Sequence, residues 1–116
     1  MSKIYIYHNP RWGKSRESVK ILENSNQAFE IIDYIKSPPN PNELQSLSQK
    51  LGINASGFIR KNESIFKELN LKLYLDDDLF LFKSMSKNPK LIERPIVVKG
   101  DKAVIGRPPE NIKVIL

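Results

Sequence analysis

No cysteine occurs in these 116 residues. That excludes disulfides, thiolate metal sites and any sulfur nucleophile supplied by the chain. Long apolar runs are missing too, so the chain is not expected to span a bilayer. No internal repeat or low-complexity segment is present, and no nucleic-acid motif. Histidine and tryptophan occur once each, as His8 and Trp12.

What remains describes an ordinary globular protein. A hydrophobic content of 40% suffices for one modest core, and 28% charged residues argue against disorder. A single domain covering residues 1–116 is expected, as a monomer. The net charge is +6, but the lysines are scattered singly from Lys3 to Lys113. Such a surface gives solubility and weak anion attraction, not nucleic-acid recognition. The chain opens with the strand-like Lys3–Tyr7, which reads as neither signal nor transit peptide, and a cytoplasmic location is expected.

Lys3–Tyr7 reads as a buried strand, Lys14–Glu23 as a helix with Val19 and Leu22 inward, and Phe29–Asp33 as a second strand. This βαβ order predicts two parallel strands joined by a right-handed crossover. Ser37-Pro38-Pro39-Asn40-Pro41 is a rigid loop. Asn40 and Glu43 form a capping pair around Pro41, Leu44, Leu47 and Leu51 mark a helical face, and Gly52 ends it. Short helices are expected near Asn54–Ile59 and Ser64–Leu69. Asp76-Asp77-Asp78 reads as the start of a helix with Leu79, Phe82 and Met85 inward, stabilised by the macrodipole and not as a metal site. Asn88-Pro89 stops it. Pro95–Val98 and Lys102–Ile105 form a hairpin around Gly100-Asp101, and a last helix carries Ile112, Ile115 and Leu116. The plan is α/β and thioredoxin-like, with a four-stranded mixed sheet and a helical insertion at about 41–88.

The chemistry-bearing stretch is His8-Asn9-Pro10-Arg11-Trp12-Gly13-Lys14-Ser15-Arg16. A strand that turns into a helix presents free N–H groups and the positive end of a helix dipole, a setting for an anion or a thiolate. Of the five arginines, Arg11 and Arg16 sit in this stretch, and Arg60, Arg94 and Arg107 recur at loop-like positions. Arg94 and Arg107 each precede a proline. Guanidinium suits a bidentate grip on an oxyanion.

Four segments in order resemble the glutathione- and glutaredoxin-dependent arsenate reductase (ArsC) family, which also includes the Spx transcription regulators. They are the His8–Arg16 stretch, Ile59-Arg60-Lys61-Asn62-Glu63, Arg94-Pro95-Ile96-Val97-Val98 and Gly106-Arg107-Pro108. The resemblance implies a thioredoxin-like fold and arsenate reduction. It implies that Arg60, Arg94 and Arg107 bind the oxyanion, that His8 supports the loop, that Gly13, Ser15 and Arg16 open the helix, and that Pro95 is cis. It also implies that Trp12 stands where the family carries its nucleophilic cysteine. No cofactor is expected to be bound, and glutathione enters as co-substrate or ligand. Glutaredoxin and RNA polymerase are the partners the family suggests.

Beside that resemblance stand plainer readings. His8 is a structural side chain, Ser15 and Arg16 are helix-start residues, and Trp12 is either a stacking platform or an apolar plug. Three gathered guanidinium groups repel one another unless an anion sits among them; otherwise they spread and pair with carboxylates such as Glu63, Glu93 or Glu110. Three functions follow: a reductase-inactive module binding an oxyanion, glutathione or an acidic partner; a reductase using an external thiol; or an Spx-like regulator. The first is the expectation, because an indole offers no nucleophile.

Overall fold

The structure, a computed structural model, describes residues 3–116. They divide into two compact units, one formed by residues up to Ser37 together with Arg94–Leu116, the other by Pro38–Glu93.

The first unit holds strands β1 (Ile4–His8), β2 (Phe29–Asp33), β3 (Ile96–Lys99) and β4 (Lys102–Ile105), and helix α1 (Gly13–Asn24). The sheet order is β2-β1-β3-β4. β1 runs parallel to β2 and antiparallel to β3, which pairs antiparallel with β4. Ile6 therefore lies opposite Ile31 on one side and Val97 on the other. Alternation places Ile4 and Ile6 on one face, where they cluster with Leu22, Val97 and Ile112. Val19, Phe29, Val104 and Ile115 pack around that cluster. This is the thioredoxin-like α/β arrangement, and the βαβ start and the Gly100-Asp101 hairpin are as the sequence predicts.

Small shifts separate expectation from structure. β1 reaches His8, which pairs in register with Asp33. α1 buries Ser15 and Ser18 alongside Leu22, a face that an apolar pattern cannot flag. The last helix is a 3-10 helix, Pro109–Ile115.

Gly106 occupies a close approach. A Cβ there would lie 2.8 Å from Ser18 Oγ and 2.9 Å from Pro95 Cγ. Its N–H donates to the Pro95 carbonyl at 2.9 Å.

The second unit is helical: α2 (Pro41–Leu51), α3 (Ser64–Glu68) and α4 (Asp78–Lys87), with 3-10 turns at Ala55–Gly57, Leu71–Tyr74 and Pro89–Leu91. α2 follows its sequence signals closely. Asn40 Oδ1 accepts from the Glu43 amide at 2.8 Å, and Gly52 ends the helix at φ +71°. Leu44 and Leu47 are buried. α4 starts as expected, with Asp77 Oδ1 accepting from the Phe80 amide at 3.1 Å. Its inward face differs, however. Leu81, Phe82 and Met85 are buried while Leu79 is 62% exposed. The inward stripe runs i, i+3, i+4, i+7 from Asp78 and leaves Leu79 outside. The helix expected near Asn54–Ile59 reduces to one 3-10 turn because Ile59 leaves it to form an antiparallel bridge with Ile92. No helix among the described residues is long and apolar enough to cross a membrane.

Candidate anion site at the start of the first helix

The β1–α1 loop is held by its own hydrogen bonds. Asn9 anchors it: its carbonyl accepts from the Trp12 amide at 3.1 Å, and its Oδ1 accepts from the Arg11 amide at 3.1 Å. The Asn9 amide donates to Ser15 Oγ at 3.2 Å. Arg16 reaches back, Nη1 donating to the Pro10 carbonyl at 3.0 Å. Ser15 is therefore a loop fastener, and Arg16 a brace. The first helical bond runs from the Arg16 amide to the Trp12 carbonyl at 3.1 Å. The amides of Gly13, Lys14 and Ser15 precede it, so no carbonyl of α1 accepts from them.

Trp12 holds the N-cap position in extended conformation (φ −111°, ψ 129°), with no side-chain cap. An indole cannot accept the hydrogen bond that Ser, Asp or Asn would accept there. Its ring is engaged elsewhere. Arg94 Cζ lies 3.8 Å from the ring centroid, well inside cation–π range. Trp12 is 47% exposed, whereas Arg94 is only 6% exposed. The guanidinium carbon of an almost buried arginine thus lies over the indole ring. A guanidinium's N–H donors lie in its plane, so a ring stacked on its face does not compete with an acceptor at its edge. The Arg94–Pro95 peptide bond is cis, as is Arg107–Pro108.

His8 ends β1 and is buried. Burial pushes its imidazole pKa below the usual histidine value; Asp33, its partner across the ladder, opposes that and Arg16 reinforces it. His8 is therefore neutral at pH 7, the state suited to a structural residue and not to a charge-stabilising imidazolium. Its Nδ1 has no hydrogen-bond partner among the described residues.

The other two arginines lie in different settings. Arg60 belongs to the helical unit, where Nε contacts Glu63 Oε1 at 3.1 Å and Nη1 contacts Glu93 Oε1 at 3.0 Å. Two of the three carboxylates named from sequence thus share one guanidinium. The backbone holds this triad, since the Arg60 amide donates to the Leu91 carbonyl at 2.7 Å and the Glu93 amide to that of Phe58 at 2.9 Å. Arg107 is exposed, and its carbonyl accepts from Asn111 Nδ2 at 3.0 Å. Sequence reasoning missed Asn9 as the loop's organiser and Ser18 with Gly106 as the close contact behind Pro95. The glycine placed directly before Arg107-Pro108 was the available signal for the second.

Comparison with known proteins places the chain in a family. The ArsC family model matches residues 7–115. An arsenate reductase of Neisseria meningitidis serogroup B is 42% identical over 118 residues, spanning the whole of both chains. One from Haemophilus influenzae is 45% identical over 114 residues, covering 97% of this chain and 98% of its own. The solved arsenate reductase from Vibrio cholerae superposes with a TM-score of 0.95 at 45% identity, covering 99% of this chain and 98% of that one. With the family match and the relatives each spanning nearly the full length, the chain belongs to the ArsC family.

Proposed function

We propose that this chain binds a small anion at the start of α1, an oxyanion or the carboxylates of glutathione, and performs no covalent step on a sulfur of its own. The observation that carries the reading is the pairing of Arg94 with Trp12: an arginine residue 6% exposed, its guanidinium carbon 3.8 Å from the ring centroid. A cation kept this far from water is costly to maintain without compensation. The indole and the other contacts of Arg94 supply it in part, and an anion at the guanidinium edge would add to them. The amides of Gly13, Lys14 and Ser15 directly follow Trp12 at a helix start, the backbone setting in which anions are held. Trp12 then serves as a platform that orients the guanidinium. A route through a thiolate of the chain's own is closed because these residues contain no cysteine.

Trp12 is the only tryptophan, so its fluorescence reports on the site directly. Titration with arsenate, phosphate, sulfate and glutathione should give a saturable change with at least one of them, and Arg94→Gln should abolish it. A flat response to all four would refute the reading.

A second reading rests on the relatives, since proteins 42% and 45% identical along the whole chain are named arsenate reductases. Here the bound anion is arsenate: one external thiol such as glutathione adds at arsenic with loss of water, and a second attacks the arsenic-bound sulfur, leaving as the disulfide while arsenic takes the electron pair and departs as arsenite. The Arg94 guanidinium would stabilise negative charge at the arsenic centre as the thiol adds. Arsenite formation with glutathione should then exceed the protein-free rate and fall to that rate in Arg94→Ala. A rate equal to buffer with glutathione rules it out.

A further inference from the structure

The helical unit contains a cavity of about 450 Å³ lined by Lys61, Phe66, Lys67, Asn70, Lys72 and Leu75. All six residues come from one continuous stretch that includes α3 and the 3-10 turn Leu71–Tyr74. The volume lies within the range of small-molecule sites. Phe66 is buried and Leu75 half-buried, giving the cavity an apolar body. Its charged lining is of one sign: three lysines and no carboxylate.

Two features keep Lys61 from its nearest carboxylate in sequence. Lys61 Nζ donates to the Ser56 carbonyl at 3.0 Å, a neutral acceptor. Glu63, the carboxylate nearest to Lys61 in sequence, is drawn instead to Arg60 at 3.1 Å. Asn70 turns the chain at φ +53° and adds a neutral donor and acceptor to the lining. Apolar walls with exposed lysines in the lining fit a ligand whose body is apolar and whose head is anionic. A neutral apolar ligand would leave the ammonium groups unused, and a bare inorganic anion would leave the walls wet.

We propose that this cavity binds a small amphipathic anion, a carboxylate or phosphate monoester head on a short acyl or aryl body. The site lies wholly within Pro38–Glu93 and is additional to the Arg94 site. Octanoate is the probe, followed in amide proton–nitrogen spectra of the full chain. Resonances of residues 61–75 should move saturably. Octanol, which lacks the charge, and acetate, which lacks the chain, should each bind at least about tenfold more weakly. The double variant Lys67→Gln/Lys72→Gln, at two exposed positions, should weaken octanoate by about tenfold or more with the remaining spectrum unchanged. Octanol binding as tightly as octanoate, a double variant with unaltered affinity, or shifts confined to other residues would overturn the proposal. So would sedimentation with anionic phospholipid vesicles when free octanoate gives no shifts, because the lysines would then serve a lipid surface.

Discussion

Replacing Trp12 with alanine should destabilise the protein through Arg94, and a double-mutant cycle can isolate that part. The ring centroid lies 3.8 Å from Arg94 Cζ, with the Arg94 residue 6% exposed and Trp12 47% exposed. Cation–π contacts are worth about 0.5–1 kcal/mol when exposed and about 2 kcal/mol when desolvated. One partner here is desolvated and the other is half in water, so a coupling of about 1 kcal/mol is expected. Trp12→Ala, Arg94→Gln and the double variant are compared with the parent by urea denaturation. The cycle cancels whatever else each side chain does, including the other contacts of Arg94. Two controls sharpen the assignment. Trp12→Phe keeps a π face of lower charge affinity and should retain part of the coupling. Arginine stays protonated throughout the accessible range, so the coupling should be the same at pH 6 and pH 8. A coupling within about 0.3 kcal/mol of zero would mean that ring and guanidinium are neighbours without interaction.

Gly106→Ala places a methyl group 2.8 Å from Ser18 Oγ, 2.9 Å from Pro95 Cγ and 3.2 Å from Ile112 Cγ2. All three belong to buried or ring-locked neighbours, so a loss of about 1–3 kcal/mol in urea stability is expected; unchanged stability would refute the close approach. His8 makes the fold acid-sensitive. Above about pH 6.5 the imidazole is neutral in both states, and as pH falls below that the unfolded chain takes a proton that the folded one resists. Stability should therefore decline from about pH 6.5 toward the lower folded-state value, and His8→Gln should flatten that part of the curve; parallel curves would contradict the assignment. Trp12→Cys sets a sulfur at the start of α1, where the helix dipole and the Arg94 cation favour thiolate, so its alkylation rate should titrate below the usual thiol value of about 8.5. An ordinary titration would show that the loop no longer stabilises an anion.

What the sequence could reveal depended on distance along the chain. The Asn40, Pro41, Glu43 and Gly52 signals act within one turn of the helix they delimit, and α2 follows them. The same holds for Asp77 and for the hairpin turn. α4's inward face is different in kind. Leu79 and Leu81 are equally apolar, and only packing against the rest of the helical unit selects Leu81. Ser15 and Ser18 are buried because close approach needs small side chains, which a hydrophobic pattern ignores. At the site, the family resemblance singled out Arg94 and Trp12 separately. Their contact joins positions 82 apart in a way no local rule encodes. Arg60 shows the same limit, since Glu63 lies three residues away and within reach of local reasoning, while Glu93 is brought in by the Ile59–Ile92 bridge.

The central claim is that the Arg94 guanidinium beneath Trp12 still receives an anion. It is tested most directly by following the side-chain Nε–Hε resonance of Arg94 while arsenate or sulfate is added at constant ionic strength. That resonance should move saturably, together with the backbone amides of Gly13, Lys14 and Ser15 and with one shared affinity. An Arg94 signal that stays in place while those of Lys residues drift without saturation would contradict it.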